Sequence, residues 1–169
     1  MKHILTVALF FYCMGSPAQE PILKEIRSLY QKAAVEENAC KKLITTLDPM
    51  DVETNPLLFG YKGCATMMMA QHVSNPFNKL SYFRKGKIML ENAIDVDDEN
   101  MELRFLRFAA QTNAPAMLGY RGDIEEDKKL ILDALSASND LPLKKLIMAY
   151  LINSAYLDTE EKKKLVKQV

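Results

Sequence analysis

Residues Asn55–Phe108, NPLLFGYKGCATMMMAQHVSNPFNKLSYFRKGKIMLENAIDVDDENMELRFLRF, decide the fold. The pair Asn55-Pro56 and its repeat Asn75-Pro76 each set a good N-cap before a proline suited to the first helical position. From Pro56 to about His72 the chain is apolar nearly all round, with Leu57, Leu58, Phe59, Tyr61 and the run Met67-Met68-Met69. Such a helix is covered by neighbours on several sides. Gly60 and Gly63 each lower its intrinsic stability by about 1 kcal/mol relative to alanine. Glycines in that setting let a neighbouring helix or a large ring approach closely. A next helix runs from Pro76 to about Asp95, with Leu80, Phe83, Leu90, Ala93 and Ile94 inward. The acidic turn Asp95–Asn100 separates it from a helix over Met101–Thr112 carrying Leu103, Leu106 and Ala110.

Upstream, Ile22, Ile26, Leu29, Ala33, Cys40, Leu43 and Leu47 recur at helical spacing and predict one long helix over Pro21–Leu47. Asp48-Pro49 stops it, because the residue before proline is disfavoured in the α region. Downstream, residues 113–122 hold Pro115, Gly119 and Gly122 and read as a loop, with Met117, Leu118 and Tyr120 expected under cover. Asp123 and Glu126 have capping-box spacing, followed by a helix with Ile124, Leu130, Ile131, Ala134 and Leu135 inward. Pro142 sits in the first turn of the next helix, and Asp158 with Glu161 caps a short last one ending in a solvated Lys162–Lys164 face. No segment alternates with a period of two, so no sheet is expected. The fold class is all-α: a helix-hairpin bundle or short repeat-like stack of about seven helices.

The 169 residues are 49% hydrophobic and 26% charged, an ordinary globular balance. Basic and acidic residues number 22 each, leaving no net field to hold nucleic acid. Lys2 and His3 precede the uncharged run Ile4–Met14 and the small-residue segment Ser16-Pro17-Ala18, the layout of a secretory signal peptide. Residues 1–18 are therefore expected to be a signal and 19–169 a single all-helical domain, exported to the bacterial periplasm or medium. The run is too short to span a bilayer, which takes about 20 apolar residues, so no transmembrane segment is expected. Removal of Cys13 leaves Cys40 and Cys64, an even number in an oxidising compartment. In an antiparallel hairpin they stand at one level, so either a disulfide or two buried thiols fits.

The segment Gly86–Asn100, with Gly86, Leu90 and Ala93 before the turn Asp97-Asp98-Glu99-Asn100, resembles the second half of a tetratricopeptide repeat. Asp98 stands where that family usually has proline, and Gly63 lies further from Gly86 than its two small packing positions do. The resemblance implies stacked helix–turn–helix units and brings no catalytic residue. Asn75-Pro76-Phe77, Lys79, Tyr82-Phe83, Gly86-Lys87 and Glu102–Arg107 are also similar to a group of exported bacterial proteins of unassigned activity.

No GxSxG, HExxH, Walker loop or glycine-rich dinucleotide turn occurs, so no catalytic residue and no cofactor is assigned. Arg104 and Arg107 lie one turn apart beside Phe105 and Phe108. With Tyr61, Lys79, Tyr82 and Arg84 they could line a basic aromatic pocket for a carboxylate or phosphate. The competing reading pairs the arginines with Glu91, Glu102 or the 95–99 turn. Cys64, Met68 and His72 share one helical stripe and form a weak soft-metal set; the competing reading is core filling. The leading expectation is an exported helical binding or scaffolding module whose partner is a protein or peptide. A small-ligand-binding protein or hydrolase using the arginine pocket is second, and a soft-metal carrier third.

Overall fold

The computed structural model describes residues 19–167; the expected signal segment 1–18 lies outside them. Eight α-helices and one 3-10 turn follow in order: α1 (Gln19–Ala33), α2 (Glu37–Thr46), α3 (Pro56–His72), α4 (Pro76–Val96), α5 (Met101–Asn113), the 3-10 turn Ala116–Leu118, α6 (Ile124–Ala137), α7 (Leu141–Asn153) and α8 (Thr159–Val166). No strand occurs among the described residues. The fold is all-α, a stack of helical hairpins.

The predicted single helix over Pro21–Leu47 is two. The chain turns back after Ala33, where the Val35 and Glu36 N–H groups both donate to the Lys32 carbonyl. Glu36 and Glu37 are the cause. They fall three and four residues after Ala33, where a continuing helix would carry its inward face. Burying two carboxylates there costs more than a turn. The fold-back packs α2 on α1 and sets Lys42 2.8 Å from Glu25.

The neighbours of α3 are α1, α2, α4 and α5, as expected of a helix apolar all round. Its pairing with α4 is the densest in the molecule, and glycines make it possible. A Cβ at Gly63 would lie 2.8 Å from the Gly86 carbonyl oxygen and 2.9 Å from the Leu90 nitrogen. One at Gly86 would meet the Gly63 carbonyl oxygen and come within 2.6 Å of the Met67 nitrogen. These obstacles are backbone and cannot rotate aside. Gly86→Ala is therefore expected to destabilise the fold by about 1–3 kcal/mol, despite the roughly 1 kcal/mol that alanine gains in helix propensity. Urea unfolding checks this against Gly122→Ala, whose added methyl meets nothing within 4 Å and should change little.

Contacts of α1 with α3 and of α3 with α5 build one layer of the stack. Across this layer lies α7. Its N-cap Asp140 pairs with Arg27 of α1 at 2.9 Å. Tyr150 stacks edge-on against Phe105 and Phe108 of α5 and shares a 2.7 Å hydrogen bond with Thr112. One hydrophobic cluster runs from Ile26 to Leu165.

The start signals behave unequally. Asn75 and Asn100 accept from the N–H groups of their helices' first turns, and Asp158 with Glu161 forms a full capping box. The expected box at Asp123 and Glu126 is not made. Asp123 instead accepts from Gln111 at 2.7 Å, and Glu126 accepts from Arg104. Two side-chain donors outside the helix claim both carboxylates. In the 113–122 loop Tyr120 is buried, but Met117, expected under cover, is 92% exposed. The 3-10 turn and the left-handed Gly119 (φ 62°) bring Tyr120, rather than Met117, onto Phe83.

Candidate functional site

The polar groups buried in this stack form two networks, both reached by α5. In the first, Glu102 accepts from the Arg27 Nε and Nη2 at 2.6 and 2.7 Å and from the Tyr61 hydroxyl at 2.5 Å. This ties α1, α3 and α5 together. Burial works against the charge on Arg27, and the hydrogen bond and field of Glu102, with Asp140, more than offset it. Its pKa lies above the ordinary arginine value.

The second network centres on Asp127 of α6, whose side chain is 0% exposed. Its two oxygens accept from Arg107 Nε and Nη2 at 2.8 and 2.7 Å, and one also accepts from Arg104 Nη1 at 3.0 Å. Arg107 Nη1 reaches Glu91 at 3.1 Å, and Glu91 accepts from the Tyr120 hydroxyl at 2.5 Å. Arg104 completes its fork with Glu126 at 2.9 Å and the Asp98 carbonyl at 2.6 Å. Burial pushes the Asp127 carboxyl up, and the hydrogen bonds from Arg107 and then Arg104 pull it back. Among the described residues no buried side-chain nitrogen or oxygen lacks a partner.

This geometry places each residue of the proposed pocket. Arg104 and Arg107 are brought together, but they are 8% and 6% exposed and their guanidinium groups face carboxylates of the chain itself. A ligand carboxylate would have to displace Asp127. Tyr61 is buried with Arg27 and Glu102 in the other network. On α4, Lys79 and Arg84 are exposed and Tyr82 is half-buried. Neither Lys79 nor Arg84 makes a side-chain ion pair among the described residues. Two surface depressions are lined by Glu99, Glu126, Lys129 and Asp133 and by Lys24, Arg27 and Pro142, with Arg104 and Arg107 in neither. The expected arginine partner Glu91 is present and the 95–99 turn contributes its Asp98 carbonyl. Glu102, the third partner named, serves Arg27 instead.

Sequence reading missed Asp127, although a signal exists. It lies three residues after Ile124 and four before Ile131, both buried, so it falls on the inward stripe of α6. A carboxylate on such a stripe requires a buried partner. For the weak metal set, His72 Nε2 is held 2.8 Å from the Ala33 carbonyl, Cys64 is buried and Met68 half-buried. Both cysteines are free and buried, and the Cys40 thiol donates to the Ala65 carbonyl at 3.2 Å.

The buried thiols and phenols carry a pH prediction. Burial pushes Cys40 up to about 11. Burial likewise raises Cys64, Tyr30, Tyr150, Tyr61 and Tyr120, the last two helped by Glu102 and Glu91 respectively. The unfolded chain sheds these protons from about pH 8.5 for thiols and about pH 10 for phenols, while the fold retains them. Stability must therefore fall as pH rises through that window. The urea midpoint should decline between about pH 7.5 and about pH 10.5, with tyrosinate absorbance rising cooperatively as the fold is lost. A constant midpoint would contradict it.

The class defined by this fold and its buried polar groups is an all-α stack of helical hairpins, pinned internally by two arginine–carboxylate–tyrosine networks. No family model, curated protein or solved structure matches the chain.

Proposed function

We propose that the chain is an exported helical binding or scaffolding module whose partner is another protein or peptide. The observation that carries this reading is where the uncommitted side chains lie. The arginines and carboxylates suited to gripping a small ligand are spent on one another. Phe77, Arg84, Lys85 and Ile88, by contrast, stand exposed on an open helix face, a shape suited to a macromolecular surface. Export rests on the sequence before Gln19, and no described helix is long and apolar enough to cross a membrane.

Native mass spectrometry of protein purified from its own host tests the reading. The expected result is a chain beginning at Gln19 that retains a polypeptide partner. A retained small molecule or metal in place of a protein, or a mass that includes residues 1–18, would contradict it.

A further inference from the structure

The outer face of α4 runs against the charge pattern that stabilises a helix. Its N-terminal part, Pro76–Leu90, holds Lys79, Arg84, Lys85 and Lys87 and no acid. Its first turn has no acidic residue and its last turn no basic one. Acids instead gather at the far end, in Asp95, Asp97, Asp98 and Glu99. A helix macrodipole favours the reverse, anions at the N-terminus and cations at the C-terminus. Each end of α4 therefore opposes folding slightly. Local choices that work against the fold collect where a surface serves another purpose.

Large exposed groups lie on the same face. Phe77, Ser81, Arg84 and Ile88 follow at spacings of four, three and four, one stripe of the helix, and all are exposed. Phe77 is 82% exposed and Ile88 60%. Lys85 and Lys87 flank the stripe on its two sides, while Lys79, though exposed, is in phase with the inward Gly86 and Leu90. Arg84 and Lys85 are exposed and make no side-chain hydrogen bond or ion pair among the described residues. Lys87 sits 4.6 Å over the Tyr120 ring, which continues the basic face toward the 113–122 loop. Aromatic residues and arginine are the types enriched at protein contacts, and charged groups such as these lysines belong to the polar rim around them.

We propose that this stripe of α4 docks an acidic amphipathic segment of a partner protein. The segment's carboxylates would meet Arg84, Lys85 and Lys87, and its apolar residues would cover Phe77 and Ile88. This rests on the binding-module reading and names the site and the partner's chemistry. The charge layout favours a short segment over a flat anionic bilayer. The cationic stretch is followed by the acidic segment Asp95–Glu99 at the C-terminal end of the helix and the turn after it, which a bilayer plane would bring against its own charge, and the chain's net charge is zero. From Phe77 to Ile88 the stripe rises about 16 Å, the length of a helical segment of roughly 11 residues.

The test is fluorescence anisotropy of the full chain with a labelled peptide of about 12 residues that places glutamates on one helical face and leucines on the other. Binding is expected to weaken about tenfold or more in the triple variant Arg84→Glu/Lys85→Glu/Lys87→Glu, and again on raising salt. Phe77→Ser should weaken it with little salt dependence of the loss. The glutamine version of the peptide should not bind, and Lys145→Glu, on α7, should leave binding unchanged. Phe77, Arg84, Lys85 and Lys145 are exposed and Lys87 is half-buried with its ammonium at the surface of the Tyr120 ring, so thermal unfolding checks that the variants keep the fold, and peptide-induced protection of α4 amides from exchange gives a second readout. Undiminished binding by the triple variant overturns the proposal. So does binding to anionic vesicles but not to the peptide, or self-association of the chain through this stripe. If a protein partner is retained from the host and the triple variant still holds it, this face is wrong while the binding-module reading stands.

Discussion

Asp127→Ala is expected to remove about 3–5 kcal/mol of folding stability, the cost of stripping one partner from a buried charge pair. The carboxylate has no exposed side-chain surface and accepts three hydrogen bonds from two arginines. Alanine leaves Arg107 with Glu91 and a distant Asp123 at 3.8 Å, and Arg104 with Glu126 and the Asp98 carbonyl. Two guanidinium groups then stay largely out of water and undercompensated. Asp127→Asn keeps an acceptor of the same shape without the charge and should fall between alanine and wild type. Equilibrium urea unfolding measures both. A loss below about 1 kcal/mol for alanine would mean that the arginines find other partners without strain.

Glu102→Ala should cost a comparable amount, again about 3–5 kcal/mol, through different helices. Glu102 receives a bidentate Arg27 and the hydroxyl of a fully buried Tyr61. Its removal strands the Tyr61 hydroxyl, leaves Arg27 with Asp140 alone and frees α1 from α5. Tyr61→Phe deletes the hydroxyl together with its need for a partner, and should lose only about 1–3 kcal/mol. Hydrogen exchange should separate this effect from that at Asp127. Amides of α1 should open in Glu102→Ala and those of α6 in Asp127→Ala. Uniform loosening in both variants would refute two separate networks.

The sequence was most informative where one local rule acted alone. Asn75-Pro76 fixes the start of α4, and the box at Asp158 and Glu161 starts α8. The all-round apolar character of α3 predicted a helix covered on several sides, and α1, α2, α4 and α5 pack on it. Reading failed where two rules competed. Apolar spacing carried a helix across Glu36 and Glu37, although two acids on the inward face argued for a break. Capping spacing at Asp123 and Glu126 lost to Gln111 and Arg104, donors that only the tertiary fold brings near.

The arginines illustrate the same limit. That Arg104, between Leu103 and Phe105, needs a carboxylate was legible, and its burial among carboxylates follows that logic. Which carboxylate it takes was not. Glu125-Glu126-Asp127 looks like an ordinary acidic first turn until Ile124 and Ile131 are seen to place Asp127 inward. Lys79 and Arg84 were grouped with Arg104 and Arg107 as neighbours in the expected bundle, but both are exposed, and helical phase sets Arg84 on the outer stripe with Phe77 and Ile88.

Asp127 holds Arg107 through two hydrogen bonds that build the fold, which leaves the guanidinium engaged rather than poised for a ligand. A double-mutant cycle in urea unfolding, using Arg107→Met, Asp127→Leu and the two combined, tests it most directly. Each single variant should be strongly destabilised, and the double should recover much of the loss, because neither charge is then left alone, giving a coupling of about 2–3 kcal/mol. Single variants that stay near wild-type stability, with coupling below about 0.5 kcal/mol, would contradict the account and return the arginine to the role of a ligand-binding group.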